Sequence, residues 1–261
     1  MKRREFIATA AVVAGTTAVS GLHAQEKSGQ QIIEWVRYRL NTGARKNSVA
    51  DFYEKVAIPA MNRAGIDRVG VFSVTYGPTE PSLYVLIPHP DMESVLTLPG
   101  RLLSDKTYLA DGAEFLNTPL SEPMYVRKES QILQAFKNMP QVESPTDMLD
   151  NKGRIYELRT YESHSVKYGN KKVEMFNDGG EIAIFRKTGL RPVFYGQTII
   201  GERMPNLTYM LVHESMEARD ANWKQFVSHP DWKALSGDEQ YKDTVSNISD
   251  YILRPLAFSQ I

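Results

Sequence analysis

The chain has 261 residues, 42% of them hydrophobic and 24% charged, with as many basic as acidic side chains. That leaves room for one large or two small globular domains, and a net charge of zero offers no field to nucleic acid or to an anionic membrane. Cysteine is absent, which removes disulfides, thiolate nucleophiles, Cys-ligated metal and a lipidated anchor.

Residues 1–24 read as an export signal. Lys2, Arg3 and Arg4 precede a mild Ala/Val/Thr run from Ile7 to about Val19, and Leu22 and Ala24 lead to a cleavage point before Gln25. The run is too short to span a bilayer. The paired arginines with Phe6 resemble the twin-arginine motif, with an ordinary Sec signal as the alternative. The expected location is therefore the periplasm or the outside of the cell, with no membrane span in the mature chain.

The first repeat, residues 25–137, predicts a strand in "QIIEWVRYRL", a helix over Val49–Arg63 and a hairpin of Val69–Tyr76 with Leu83–Ile87, turned by "GPTEP". A broken helical region follows from Asp91 to Leu116, and "ESQILQAF" closes the unit as a strand. Residues 138–152 carry Pro140 and Pro145 with few large apolar side chains and read as a linker.

The second repeat, residues 153–261, opens with a strand at Arg154–Glu162. A helical region over about Lys171–Lys187 is interrupted by "NDGG", and Gly189 stands where a helix C-cap is expected. Strands follow at Val193–Ile200 and Leu207–His213, then a helix from Met216 that "SHPDWKALS" interrupts. "YILRPLAFS" reads as an edge strand, because Pro255 cannot donate to a ladder.

The two units align in order: Ile33, Val36 and Arg37 with Ile155, Leu158 and Arg159, then Gly65 with Gly189, Tyr84 with Tyr209, and Met92–Glu93 with Met216–Glu217. The order βαββαβ is the ferredoxin-like unit. One such sheet has a bare face that needs cover. The fold class expected is α+β: two tandem ferredoxin-like repeats forming an intramolecular dimeric α+β barrel. It is a pseudo-dimer within the chain, and a further homo-oligomer is compatible with it.

"RIYELRTYE", "KKVEMFNDGGEIAIFRKTGLRPVFYGQTIIGERMPNLTYML" and "WKQFVSHPDWKAL" together resemble the NIPSNAP family over Arg154–Leu235. The resemblance implies the dimeric α+β barrel superfamily, which also holds small monooxygenases, isomerases, haem-degrading enzymes and chlorite dismutases. It brings no agreed catalytic motif with it.

Strand alternation puts Ile155, Glu157, Arg159 and Tyr161 on one face, aligned with Ile33, Trp35, Arg37 and Arg39. On one reading Arg37 and Arg159 hold a carboxylate or enolate-like ligand; on the other, Glu157 neutralises the arginines in a structural network. Asn177 and Glu181 flank the helix break, either lining a pocket mouth or capping the second segment. His164 and His213 lie near strand ends as candidate acid/base groups or haem ligands, and Tyr195 and Tyr209 offer hydroxyls to a cavity. No metal-ligand spacing, phosphate loop or dinucleotide fingerprint occurs.

The function expected is binding of a small anionic or aromatic ligand through Arg37, Glu157, Arg159, Asn177, Tyr195, Tyr209 and His213. The alternative is a cofactor-independent monooxygenase or isomerase using His164, Tyr161 or Glu181. No cofactor is required, and haem stays open.

Overall fold

The computed structural model describes residues 29–42, 45, 47–77 and 81–261. The expected export signal at 1–24 lies outside the described residues, as does most of the Gly77–Pro81 turn.

Eight strands form a closed antiparallel barrel. They are β1 (Ile32–Arg39), β2 (Gly70–Tyr76), β3 (Ser82–His89), β4 (Arg127–Ala135), β5 (Ile155–Glu162), β6 (Arg191–Ile200), β7 (Asn206–His213) and β8 (Asn247–Pro255). Around the barrel the order is β1-β3-β2-β8-β5-β7-β6-β4. Each half contributes the ferredoxin-like order, β4-β1-β3-β2 and β8-β5-β7-β6. The seams are β2 with β8 and β4 with β6. At the second seam Gly196 lets the strands close, since a Cβ there would lie 2.8 Å from Leu133 Cβ.

The expected edge strand is corrected by this closure. β8 pairs with β2 on one side and β5 on the other, and Pro255 is tolerated because it is the strand's last residue. Closing the barrel leaves no edge for Pro255 to occupy.

The helices lie outside the barrel. In the first half, α1 (Ser48–Phe52) runs through a π-helical turn (Tyr53–Ala57) into α2 (Ile58–Arg63), and α3 (Met92–Ser104), α4 (Lys106–Asp111) and α5 (Ala113–Leu116) follow β3. The second half has α6 (Val166–Asn177), α7 (Glu181–Lys187), α8 (Met216–Ser228) and α9 (Pro230–Ser236). Their starts are written in the sequence. Asp91, Ser165 and Ser215 accept from the backbone N–H three residues on, and Pro230 opens α9 with its preset φ. Gly180 ends the α6–α7 break at φ +84°, a conformation that suits glycine.

Three cores result. Trp35, Phe72, Tyr84, Tyr156, Phe194 and Leu253 fill the barrel. The outer faces pack on helices through Val36, Tyr38 and Val85 in one half and Phe176, Tyr195 and Tyr209 in the other. Burying each such aromatic side chain contributes about 1.5–3 kcal/mol. One end of the barrel is plugged by Val142 and Met148 from segment 138–152 and by Ile261.

The register corrects the internal alignment. Ile32 lies opposite His89, and Ile155 opposite His213. The equivalent residues are therefore Ile32, Glu34 and Tyr38 with Ile155, Glu157 and Tyr161, one position from the alignment made on Ile33 and Arg37. A one-residue slip exchanges the faces of a strand. Trp35 and Arg37 point into the barrel, whereas Glu157, Arg159 and Tyr161 point outward beneath α6–α8. The expected common face for Arg37 and Arg159 does not exist.

Candidate functional site

Glu157 is fully buried on the outer face of β5 and is surrounded by donors. Its Oε1 accepts from Arg159 Nη1 at 2.9 Å and Arg219 Nη2 at 2.7 Å. Its Oε2 accepts from Arg219 Nε at 3.0 Å and Trp223 Nε1 at 2.7 Å, and lies 3.1 Å from His213 Nε2. Burial alone would raise this carboxyl, but bonds from His213, Arg219 and Trp223 with the charge of Arg159 hold it down to about 2. Arg159 also lies 4.8 Å over the Trp223 ring and 5.6 Å from the centre of Tyr161. Each oxygen of the carboxylate is answered, while Arg159 Nε and His213 Nδ1 are buried without a partner.

Beside it sits a second buried polar group. Lys172 on α6 reaches Glu181, the first residue of α7, at 2.8 Å, with side chains only 5% and 2% exposed. The ammonium also touches Met175 Sδ at 3.2 Å and lies 4.8 Å from the Phe176 ring centre and 5.7 Å from that of Tyr161. Burial raises the Glu181 carboxyl, and Lys172 offsets part of that rise. Tyr161 and Tyr209 share a hydroxyl bond of 2.8 Å. Tyr195 stands 5.3 Å from Tyr209, ring to ring, and its buried hydroxyl has no partner. Burial pushes the Tyr195 and Tyr209 phenols well up, so both are neutral donors.

Of the residues singled out in the sequence, the second-half layer gathers Glu157, Arg159, Tyr161, Glu181, Tyr195, Tyr209 and His213. His164 is not in it; it is exposed and packs on the Tyr168 ring at 4.3 Å. Asn177 faces the other way, accepting from Asn138 N–H and donating to Val173 O, and so ties segment 138–152 to α6. Arg37 belongs to the barrel interior, ion-paired with Glu129.

Lys172, Arg219 and Trp223 are the layer's members that the sequence did not announce. Trp223 read as core, and the two basic residues sit on helices whose rotation single-sequence patterning does not fix. A usable signal existed in Ile-x-Glu-x-x-x-Tyr, present in both halves with a histidine closing the paired strand. In the first half that pattern places Glu34 3.4 Å from His89, which in turn meets Ser94 Oγ at 3.0 Å.

No described histidine fits an axial ligand of haem. His213 is buried against Glu157, His89 lies between Glu34 and Ser94, His164 packs on Tyr168, and His229 caps α9. Among the described residues no cluster of three or more His, Asp or Glu could hold a metal ion. None of their helices is long and apolar enough to cross a membrane.

Barrel and helix layers together define a dimeric α+β barrel fused into one chain. Residues 156–260 match the NIPSNAP family model. A candidate monooxygenase from Lactobacillus acidophilus NCFM superposes with a TM-score of 0.57 at 11% identity, covering 87% of this chain and 94% of that one. Another, from Fusobacterium nucleatum subsp. nucleatum ATCC 25586, gives 0.55 at 8% identity, covering 87% and 93%. An uncharacterized NIPSNAP-like domain protein from Burkholderia xenovorans is 24% identical over 41% of this chain and 90% of its own, with a TM-score of 0.37. No curated protein matches.

Proposed function

We propose that this is an exported protein that binds a small anionic or aromatic ligand between the β5–β7 face and helices α6–α8. The carrying observation is the buried Lys172–Glu181 pair beside Tyr161, Tyr209 and an unpartnered Tyr195 hydroxyl. A buried ion pair is weak support for stability, and an unmade buried hydrogen bond costs about 1–3 kcal/mol. Both become intelligible if a ligand acceptor completes the bond to Tyr195 and a ligand charge competes for Lys172. The α6–α7 break, where Glu181 begins a helix behind Gly180, is the place at which this layer can open.

A second reading has one observation in its favour. Glu181 is a carboxyl whose proton affinity is raised by burial, as a general acid or base requires. With Lys172 and the tyrosines it would serve a cofactor-independent monooxygenase or isomerase, in keeping with the description of the two similar structures as candidate monooxygenases.

The test is native mass spectrometry with an absorption spectrum of protein recovered from the exported fraction, its N-terminus sequenced. Binding predicts a retained mass that Lys172→Met and Tyr195→Phe release, a chain starting at Gln25, and export lost in the Arg3→Lys/Arg4→Lys double variant. A clean ligand-free mass, together with no response to a panel of aromatic acids, would reject the ligand site. Turnover lost in Glu181→Gln while ligand is retained would favour the enzyme.

A further inference from the structure

The barrel has one plugged end and one open end, and the open end contains a second polar pocket that the helix layer does not share. Its enclosed volume is about 30 Å³, room for about two waters or one solute of about three or four heavy atoms. Trp35 forms the floor, stacked on Tyr84 at 5.2 Å and 16°.

The groups facing this pocket are unequal in what they still need. Arg37 gives one guanidinium nitrogen to Glu129, while its Nε is buried with no partner. Thr160 and Thr208 share a single hydroxyl bond of 2.9 Å, so one of their two protons is left to donate elsewhere. Gln131 adds an amide to the wall. Of the other charges, Arg203 sits 3.5 Å from Glu162. Glu129 also lines the pocket, but its charge is already ion-paired with Arg37, and Glu202 stands exposed at the rim.

We propose that this throat binds a small planar oxyanion of the formate, nitrate or bicarbonate class, with Arg37 Nε–H and a Thr160/Thr208 hydroxyl donating to its oxygens. The guanidinium edge suits a planar acceptor, and a space of about 30 Å³ favours a small one. Residues of both repeats are needed: Arg37 comes from β1, Thr160 from β5 and Thr208 from β7. This site is independent of the ligand layer beneath α6–α8.

The experiment follows the indole N–H signals of Trp35, Trp223 and Trp232 by NMR in the full chain, with sodium formate, nitrate or bicarbonate added at constant ionic strength. Trp35 should shift saturably while Trp223 and Trp232 stay in place. Arg37→Gln should weaken the response by at least about tenfold, the worth of a charge-assisted hydrogen bond. Thr160→Val, which keeps the Arg37–Glu129 pair, should weaken it several-fold, and Glu202→Gln should strengthen it. The proposal fails if none of the three anions moves Trp35 saturably, which would leave the pocket to water. It also fails if formamide acts as well as formate, or if neither Arg37→Gln nor Thr160→Val changes the response.

Discussion

Lys172 Nζ lies 2.8 Å from Glu181 Oε2, and the bond crosses the break between α6 and α7 with both side chains shut away from solvent. Removing one partner strands the other in a low-dielectric layer. Lys172→Met is expected to destabilise the protein by about 3–5 kcal/mol at neutral pH. The loss should shrink in acid, because Glu181 already has a raised proton affinity and escapes by protonation. A Lys172→Met/Glu181→Leu double variant should recover most of the stability. Urea unfolding of the three proteins at two pH values checks this; a double variant as unstable as the single one would refute it.

Arg159→Ala has a different expectation, because Glu157 does not depend on Arg159 alone. Arg219, Trp223 and His213 remain on the carboxylate. The expected cost is about 1.5–3 kcal/mol, that of one hydrogen bond to a charged group. The larger penalty of a buried charge left unpaired should appear only when Arg159 and Arg219 are both removed. Denaturant midpoints for the two singles and the double test the coupling. Strict additivity would show that the two arginines do not act on one carboxylate.

Much of this fold was legible in the chain itself. Turn chemistry and the order of strands and helices specify two ferredoxin-like units, because those signals are local, although α6 starts at Val166 behind the Ser165 cap and not at about Lys171. What was not legible is register. Ile33 against Ile155 and Ile32 against Ile155 are both plausible alignments by composition, yet they put opposite faces toward the core. That single position separated Arg37 from Arg159 and hid the equivalence of Glu34 with Glu157. The edge-strand reading of Pro255 failed for a related reason: closure of a barrel is a property of all eight strands. Lys172, Arg219 and Trp223 join the β5 residues only through helix packing, which no spacing within β5 encodes.

Acid should destabilise the protein partly through Glu157. Its carboxyl is held at about 2 against an ordinary value of 4.5. A depressed folded value means stabilisation that is present above pH 4.5 and is lost as pH falls toward 2. The difference corresponds to about 3 kcal/mol, and Glu34, also lowered, adds with the same sign. Glu181 acts oppositely: its raised value favours the folded state at low pH. Glu157→Gln should be less stable at neutral pH yet lose about 3 kcal/mol less than the wild type across that window. Parallel stability–pH curves for the two proteins would contradict this assignment.

Tyr195→Phe separates a structural layer from a binding one. The Tyr195 side chain is fully buried and packed at 5.8 Å from Phe136 and 5.3 Å from Phe176, ring to ring, but its hydroxyl makes no bond. Deleting that oxygen removes an unsatisfied polar atom and leaves the ring contacts in place. In ligand-free protein the variant should be unchanged or stabilised by about 1 kcal/mol. If the hydroxyl completes its hydrogen bond with a ligand, the same variant should lose retained ligand. A large destabilisation in ligand-free protein would instead show that Tyr195 has a structural partner, such as a bound water, and would remove it from the site. Thermal unfolding and native mass spectrometry on one preparation distinguish the two outcomes.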